Sequence, residues 1–398
     1  MTLTHHIFDR VEDLPPEWDE IAEGNIFLKK NYLGLLELAP PVNMQCFYIG
    51  IFQEHELCGV ALAQLLEVES LETFGERERC LKTKIRDVIF RNFASRLLFI
   101  GNNMLTGQNA FQCKDSLFLE EGLLELHKAS IELNKQLASQ NKKIHLTTFK
   151  DFETHWINRF PGIFKTSYYQ FDTQPNMVFC TCPHWHHFDD YLKDLSKKYR
   201  DQYKRARKKA QGLEKKKLSH KDIIEYEDTI YTLYHHVAQN APFNTFILPK
   251  HHFRVMKQQL GDDFLFYGYF DSGKLIGFNT LIKNGTQMDT YFLGYDEKVQ
   301  KEKMLYLNML YDMVAFSINQ GFREIIFGRT ALEIKSSIGA EAVPMTGFIA
   351  HRNTWIQKNM HRFFRYLEPK TQWHVRNPFK TTLDRKSEAI GILQKQQV

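Results

Sequence analysis

No run of about 18 apolar residues occurs in the chain, so the sequence offers no helix long enough to cross a bilayer. The opening stretch, MTLTHHIFDRVEDLPPEW, lacks the basic start and apolar core of a secretory signal. Both absences lead us to expect a cytoplasmic protein, at most peripheral to the inner face of the membrane. Cysteine is sparse: Cys46, Cys58, Cys80, Cys113, Cys180 and Cys182 are scattered through 398 residues, which excludes a disulfide scaffold. The order Cys180-x-Cys182 followed by PHWHHF (183–188) has no metal-ligand spacing, so no metal is expected. There is no GxSxG elbow, HExxH or P-loop, which argues against a hydrolase with a covalent intermediate.

What is present is a hydrophobic fraction of 43% and enough chain for two ordinary domains. Its net charge of +5 is unevenly spread. Residues 197–217, KKYRDQYKRARKKAQGLEKKK, hold eleven Lys or Arg against two acids, a net +9 that leaves −4 for the rest of the chain. An anionic partner is therefore to be sought there, with Lys204, Arg205, Arg207 and Lys208 as the candidate contacts.

An internal echo sets the organisation. FYIGIFQEHELCGV (47–60) and FYGYFDSGKLIGF (266–278) each read as apolar strand, polar turn, apolar strand, a β-hairpin pattern. Gly50 and Gly59 stand nine apart, as do Gly268 and Gly277; Phe52 matches Phe270 and Leu57 matches Leu275, all at an offset of 218. Downstream of the first hairpin come a strand RLLFI (96–100), a loop GNNMLTGQNA (101–110), a helix over about 116–139 and a strand KIHLTTF (143–149). After the second come a strand MDTYFLGYD (288–296), a loop EKVQKEK (297–303), a helix over 304–320, Gly321 just past its C-cap, and a strand REIIFGR (323–329). Each half thus predicts hairpin, strand, loop, helix, strand, with an insert at 66–88 in the first. Residues 187–212 predict one long basic helix, broken by Gly212, and the chain from Asn377 on is expected to fray.

Chemistry is written more faintly. A loop feeding a helix N-terminus can hold an anion, and Gly101 and Gly107 would let the backbone of the first loop approach one closely. In the second half Asp289, Tyr291 and Tyr295 alternate along a strand, which predicts one shared face. A carboxylate and a phenol can each take or give a proton, so Asp289 and Tyr291, with Lys335, are the catalytic candidates. Tyr295, Arg329, Glu333 and Tyr203 are candidates for holding substrate.

The second half also resembles a family. Gly294, Tyr295 and Asp296 after the strand, then Gly321, Gly328, Arg329, Lys335 and Gly339, follow the pattern of the C-terminal module of tandem GNAT-superfamily proteins related to Fem-type peptidoglycan aminoacyltransferases. Trp18 and residues 25–28 resemble that family's opening helix pair, and LSKKYRDQYKRARKKAQG resembles its inter-module basic helix. The loop after Asp296 departs from the pattern, because it lacks the glycine usual before the helix. The resemblance implies an α/β fold with mixed sheets, in two tandem GNAT-like modules joined by a basic helix. Expected boundaries are 1–180, a helical bridge at 181–262 that is part of the second module, 263–380, and a tail at 381–398. It also implies transfer of an acyl or aminoacyl group to an amine, and an aromatic-rich chain with a basic helix would suit an amine of a lipid or cell-envelope precursor. The donor would be a thioester on coenzyme A or an acyl-carrier protein, with no tightly bound cofactor. Two other readings stand beside it: an aminoacyl-tRNA-dependent peptidoglycan ligase, and a non-catalytic binding protein on the same fold. Acidic carrier protein, tRNA and anionic membrane are the partners these readings allow for the basic segment.

Overall fold

The computed structural model describes residues 3–68, 93–114, 119–240, 244–362 and 373–380. In chain order the strands are β1 (Leu3–Phe8), β2 (Met44–Gln53), β3 (Glu56–Glu67), β4 (Arg96–Ile100), β5 (Phe111–Cys113), β6 (Leu146–Glu153), β7 (Tyr169–Cys180), β8 (Leu213–Lys217), β9 (Phe264–Asp271), β10 (Lys274–Asn284), β11 (Gln287–Tyr295), β12 (Glu324–Gly328) and β13 (Glu341–His351). The helices used below are α1 (Lys30–Leu38), α2 (Leu119–Ser139), α3 (Gly162–Ser167), α4 (Phe188–Asp194), α5 (Lys197–Lys209), α6 (His220–Glu225), α7 (Glu227–Asn240), α8 (His252–Leu260), α9 (Glu297–Lys303), α10 (Leu305–Asn319) and α11 (Leu332–Ser336). No helix among the described residues is long and apolar enough to cross a membrane.

Two compact units result, and neither is a single stretch of chain. The first comprises residues 1–174, 238–261 and 344–370; the second comprises 175–237, 262–343 and 371–398. The expected boundaries differ because β13 pairs antiparallel with β6, Met345 opposite Glu153 through His351 opposite Leu146, so late chain completes the first sheet. The basic helix α5 lies within the second unit and is not a link between two modules. Residues 69–88 of the expected insert, and the tail 381–398, lie outside the described residues.

In the first unit the strand order is β1-β2-β3-β4-β6-β13, with β5 added against β3. Helix α2 turns Leu123, Leu126, Ala129, Leu133 and Leu137 into the core at steps of three and four. In the second unit the order from the C-terminal half of β7 is β7-β12-β11-β10-β9-β8. Its core gathers Met288, Met309, Leu310, Met313, Val314 and Ile325 with the inner faces of α4 and α5.

The echo in the sequence is an echo in three dimensions. Glu54 and His55 turn the first hairpin with φ of 49° and 77°; Ser272 and Gly273, at the same offset of 218, turn the second with 49° and 81°. Paired left-handed residues make the turn whose twist matches that of the flanking strands. Each hairpin then carries a bulge at the matching place: pairing skips Cys58 between Leu57 and Gly59, and Ile276 between Leu275 and Gly277. The glycines follow from packing. A Cβ on Gly50 would lie 2.9 Å from the Phe52 ring and 3.2 Å from Leu57; one on Gly268 would lie 3.0 Å from both the Phe270 ring and Leu275.

Three local expectations are corrected. Residues 187–212 are two helices, because Leu195 takes an extended conformation between α4 and α5. The reason is distant chain: Leu195 bridges Phe379, and the Ser196 N–H donates to the Pro378 carbonyl at 2.8 Å. For the same reason residues 377–380 are not frayed. Phe379 is buried against Trp185 and Tyr191, and fits there because Gly339 has no side chain in its way. Finally, 297–303 is not a loop but the helix α9. The Asp296 carboxylate caps it by accepting from the Val299 N–H at 3.1 Å, and left-handed Met304 (φ 50°) separates it from α10.

Candidate active site

Strand β11 is central in the second sheet, antiparallel to β10 and parallel to β12. With β12 it pairs only at Gln287–Glu324, Met288–Ile325 and Asp289–Ile326, although it continues to Tyr295. The hydroxyl of Thr290 donates to the Ile326 carbonyl at 3.0 Å, just past the last pair. Beyond that point the strands part. Thr290, Tyr291, Phe292 and Leu293 are half-buried, whereas β9 and most of β10 are buried throughout.

Asp289 sits where the strands part. It is 5% exposed, and the Asn284 side chain donates to it at 3.2 Å. Burial disfavours the charged carboxylate and pushes its pKa up to about 7, with the Glu324 charge adding to the rise and the Asn284 bond opposing it. A carboxyl in that range exchanges protons readily near neutrality. Its neighbour in sequence space, Tyr291, is half-buried with its ring 4.6 Å from Phe292.

The expected shared face of Asp289, Tyr291 and Tyr295 does not hold. Pairs Asn279–Leu293 and Leu281–Thr290 leave one residue between them on β10 but two on β11, so Tyr291 and Phe292 form a bulge. That extra residue reverses the alternation. Met288 and Tyr295, an odd number of residues apart, consequently pack on the same core cluster, and Tyr295 lies 6.3 Å from Tyr306. Asp289, adjacent to Met288, faces the other way. On that other side Gly294 lies against the α7 backbone, where a Cβ would come within 2.6 Å of Leu233 and Tyr234.

Lys335 closes the end of β12. Its ammonium donates to the carbonyls of Phe327 at 2.7 Å, Gly328 at 3.3 Å and Arg329 at 2.8 Å. Burial pushes its pKa down to about 7, yet three carbonyl acceptors call for three N–H donors, which only the charged form supplies. The clasp spans a contorted segment: Gly328, Thr330 and Ala331 all have positive φ, and the latter two have no glycine's freedom. Arg329 contributes its carbonyl to this clasp. Glu333 instead holds the returning chain, accepting from the His374 N–H at 3.2 Å and pairing with Arg376 at 3.1 Å.

The basic helix divides its charges. Arg207 turns inward and is consumed, pairing with Asp312 at 2.7 Å and donating to Asn308 at 3.2 Å; Asp312 in turn accepts from the Tyr269 hydroxyl at 2.9 Å. Tyr203 packs under Arg207, 5.0 Å from Tyr311. Lys204, Arg205 and Lys208 are exposed. In the first unit Gly101 and Gly107 adopt φ of 140° and 97°, but the loop spends N–H groups on itself and on β3. Asn103 donates to Gln64, Met104 to the Asn102 side chain and Ala110 to the Gln108 side chain, while the Lys150 ammonium ties the Asn102 and Leu105 carbonyls to β6. Asp289 and the Lys335 clasp therefore meet on one strand end, and Tyr203, Arg207 and the first loop belong to other parts of the structure. Asn284, Asn308 and Asp312 were missed from sequence. The last two are the only legible ones, polar residues four apart in the otherwise apolar LYLNMLYDMVAF.

Residues 197–336 match the family model described as the acetyltransferase (GNAT) domain. That segment is an acyltransferase domain of the GNAT type. The enzyme's matched segment covers β11, β12 and the whole site just described. The solved structure of FemX is similar, with 12% identity, a TM-score of 0.55, and coverage of 90% of this chain and 99% of that one. That likeness, with the repeated hairpins, gives the enzyme a tandem GNAT-like fold. A tandem GNAT protein from the clavulanic acid biosynthesis pathway matches at 9% identity and TM-score 0.49, over 88% of this chain and 99% of that one. L-PGS from Bacillus licheniformis matches at 11% identity and TM-score 0.46, over 85% and 95%. No curated protein matches the enzyme's sequence.

Proposed function

We propose that the enzyme moves an acyl group from a thioester, on coenzyme A or an acyl-carrier protein, to the amine of a lipid or cell-envelope precursor. One observation carries this reading: β11 parts from β12 at Asp289, where a buried carboxyl with a pKa of about 7 adjoins a half-exposed strand segment. The unpaired edge of a strand offers backbone donors and acceptors to an extended ligand rich in amides, as the arm of an acyl thioester is. The amine nitrogen attacks the thioester carbonyl carbon, Asp289 takes the amine's proton, and the carbon–sulfur bond breaks. The departing thiolate takes up a proton, for which the Tyr291 phenol is the candidate donor. Tyr291 and Phe292, with Tyr234 5.7 Å from Phe292, supply an aromatic wall suited to a long acyl chain.

The test is thiol release from acyl thioesters in the presence of amines. Wild-type enzyme is expected to release thiol in step with amide formation, and Asp289→Asn to lose that activity. Failure of the wild-type enzyme to acylate any amine from any acyl thioester, with the ligand still bound, would favour a binding protein. Comparing lipids and cell-envelope precursors between cells with and without the gene identifies the product, and an unchanged set of acylated amines overturns the reading.

A further inference from the structure

The outer face of α5 is strongly cationic. At about 100° per residue, Lys197, Lys204 and Lys208 fall in one row along the helix, with Lys198, Arg205 and Lys209 on its flank. All six are exposed, and among the described residues no carboxylate pairs with any of them. Asp201 is the one acid on that face. The inner face is the opposite in kind. Tyr199 and Ala206 are buried, Gln202 donates to Tyr311 and Ser337, and Arg207 is spent on Asp312 and Asn308. The fold thus neutralises the cation it packs inward and leaves six others exposed, an excess of like charge that an anionic partner would relieve.

This face adjoins the candidate site through its own unit. The side chain of Asn308, at the start of α10, donates to the Ala206 carbonyl of α5 at 3.0 Å and to the Lys303 and Met304 carbonyls at 3.2 and 3.1 Å. The C-terminal end of α5 is therefore fixed beside the chain that leaves β11. Helix α9, which follows β11 directly, adds exposed Lys298, and its Val299 N–H is taken by the Asp296 carboxylate. Most of the exposed positive side-chain charge near this end of the site lies on α5.

We propose that this face docks an acidic acyl-carrier protein that delivers the donor thioester; the proposal rests on the acyl-transfer reading above. The row from Lys197 to Lys208 is about 16 Å long, the length of one helix face on a small partner protein. Five of the six cations are lysines, compact point charges suited to a carboxylate surface, while Arg200 and Arg207 turn back to bond within the fold. The aromatic residues of the helix, Tyr199 and Tyr203, pack inward, so the face presents no stacking platform for nucleic-acid bases.

The experiment measures binding of the full chain to an acyl-carrier protein loaded with a hexadecanoyl chain, across a salt series. Binding is expected at low salt and weakens steeply as salt rises. The triple variant Lys197→Glu, Lys204→Glu, Lys208→Glu is expected to weaken it roughly tenfold or more, and the matching Gln variant by less. Hexadecanoyl-pantetheine, which carries the thioester arm without the protein, should bind both variants as it binds wild type. The proposal is overturned if the carrier protein does not bind, if charge reversal leaves its affinity unchanged, or if tRNA binds this face more tightly and displaces it. Carrier binding that survives when no thioester supports transfer leaves the docking face standing and removes only the catalytic reading.

Discussion

Asp289 and Lys335 bracket the same short stretch of chain: Asp289 stands across from Ile326, and the Lys335 ammonium clasps the carbonyls of the next three residues. The carboxyl marks where β11 and β12 separate, and the ammonium fixes the strand end on the far side of that separation.

Replacing Asp289 by Asn keeps the shape and the Asn284 contact but removes the proton acceptor. The expected loss in kcat/KM is roughly 10²- to 10⁴-fold, the usual scale for a general base. Rate measurements over a pH series check it. Wild-type activity should rise with pH through about 7, because the base is the carboxylate form, and the variant should show no such limb.

The same residue governs stability against pH. Its pKa is raised on folding, so the folded state binds more protons than the unfolded chain between the ordinary value of 3.8 and about 7. Stability contributed by this site is therefore fully present below that window and is lost as pH rises through it. Urea denaturation of Asp289→Asn should show a weaker decline over the same window than wild type does.

Lys335→Met removes a donor that reaches the buried Phe327 carbonyl and the part-buried carbonyls of Gly328 and Arg329. An unfolding loss of about 2–4 kcal/mol is expected, since each unmet buried polar group costs about 1–3 kcal/mol and the segment can relax only in part. Denaturant titration reads the loss directly. A variant of unchanged stability would show that the clasp is not what holds residues 327–329.

The repeat makes a paired prediction. Gly50→Ala and Gly268→Ala place a methyl group against matching phenylalanine and leucine side chains, and each should cost about 1–3 kcal/mol. Gly24→Ala meets no atom within 4 Å but sits at a φ of 86°, so its cost is backbone strain alone. Thermal melts of the three variants separate crowding from strain.

Two neighbours on α5 should behave oppositely. Arg207→Ala breaks a part-buried pair with Asp312 and leaves that carboxylate and Asn308 short of a donor, at a cost of about 1–3 kcal/mol. Lys208→Ala, on the exposed face, should leave stability within about 0.5 kcal/mol. Chemical denaturation of both variants tests whether the helix divides its charges as described.

By itself the sequence determined the hairpins, their nine-residue glycine step, the strand that carries Asp289 and the segregation of charge into 197–217, because alternation, turn residues and composition are local properties of the chain. Tertiary structure decided the rest. The bulge at Tyr291 and Phe292 depends on how β11 meets β10, and it alone turns Tyr295 away from Asp289. The break at Leu195 depends on Phe379, and the completion of the first sheet depends on β13, partners almost two hundred residues distant. Local periodicity cannot encode such pairings, since the free energy that selects them comes from burial and hydrogen bonds that exist only once the distant strand arrives.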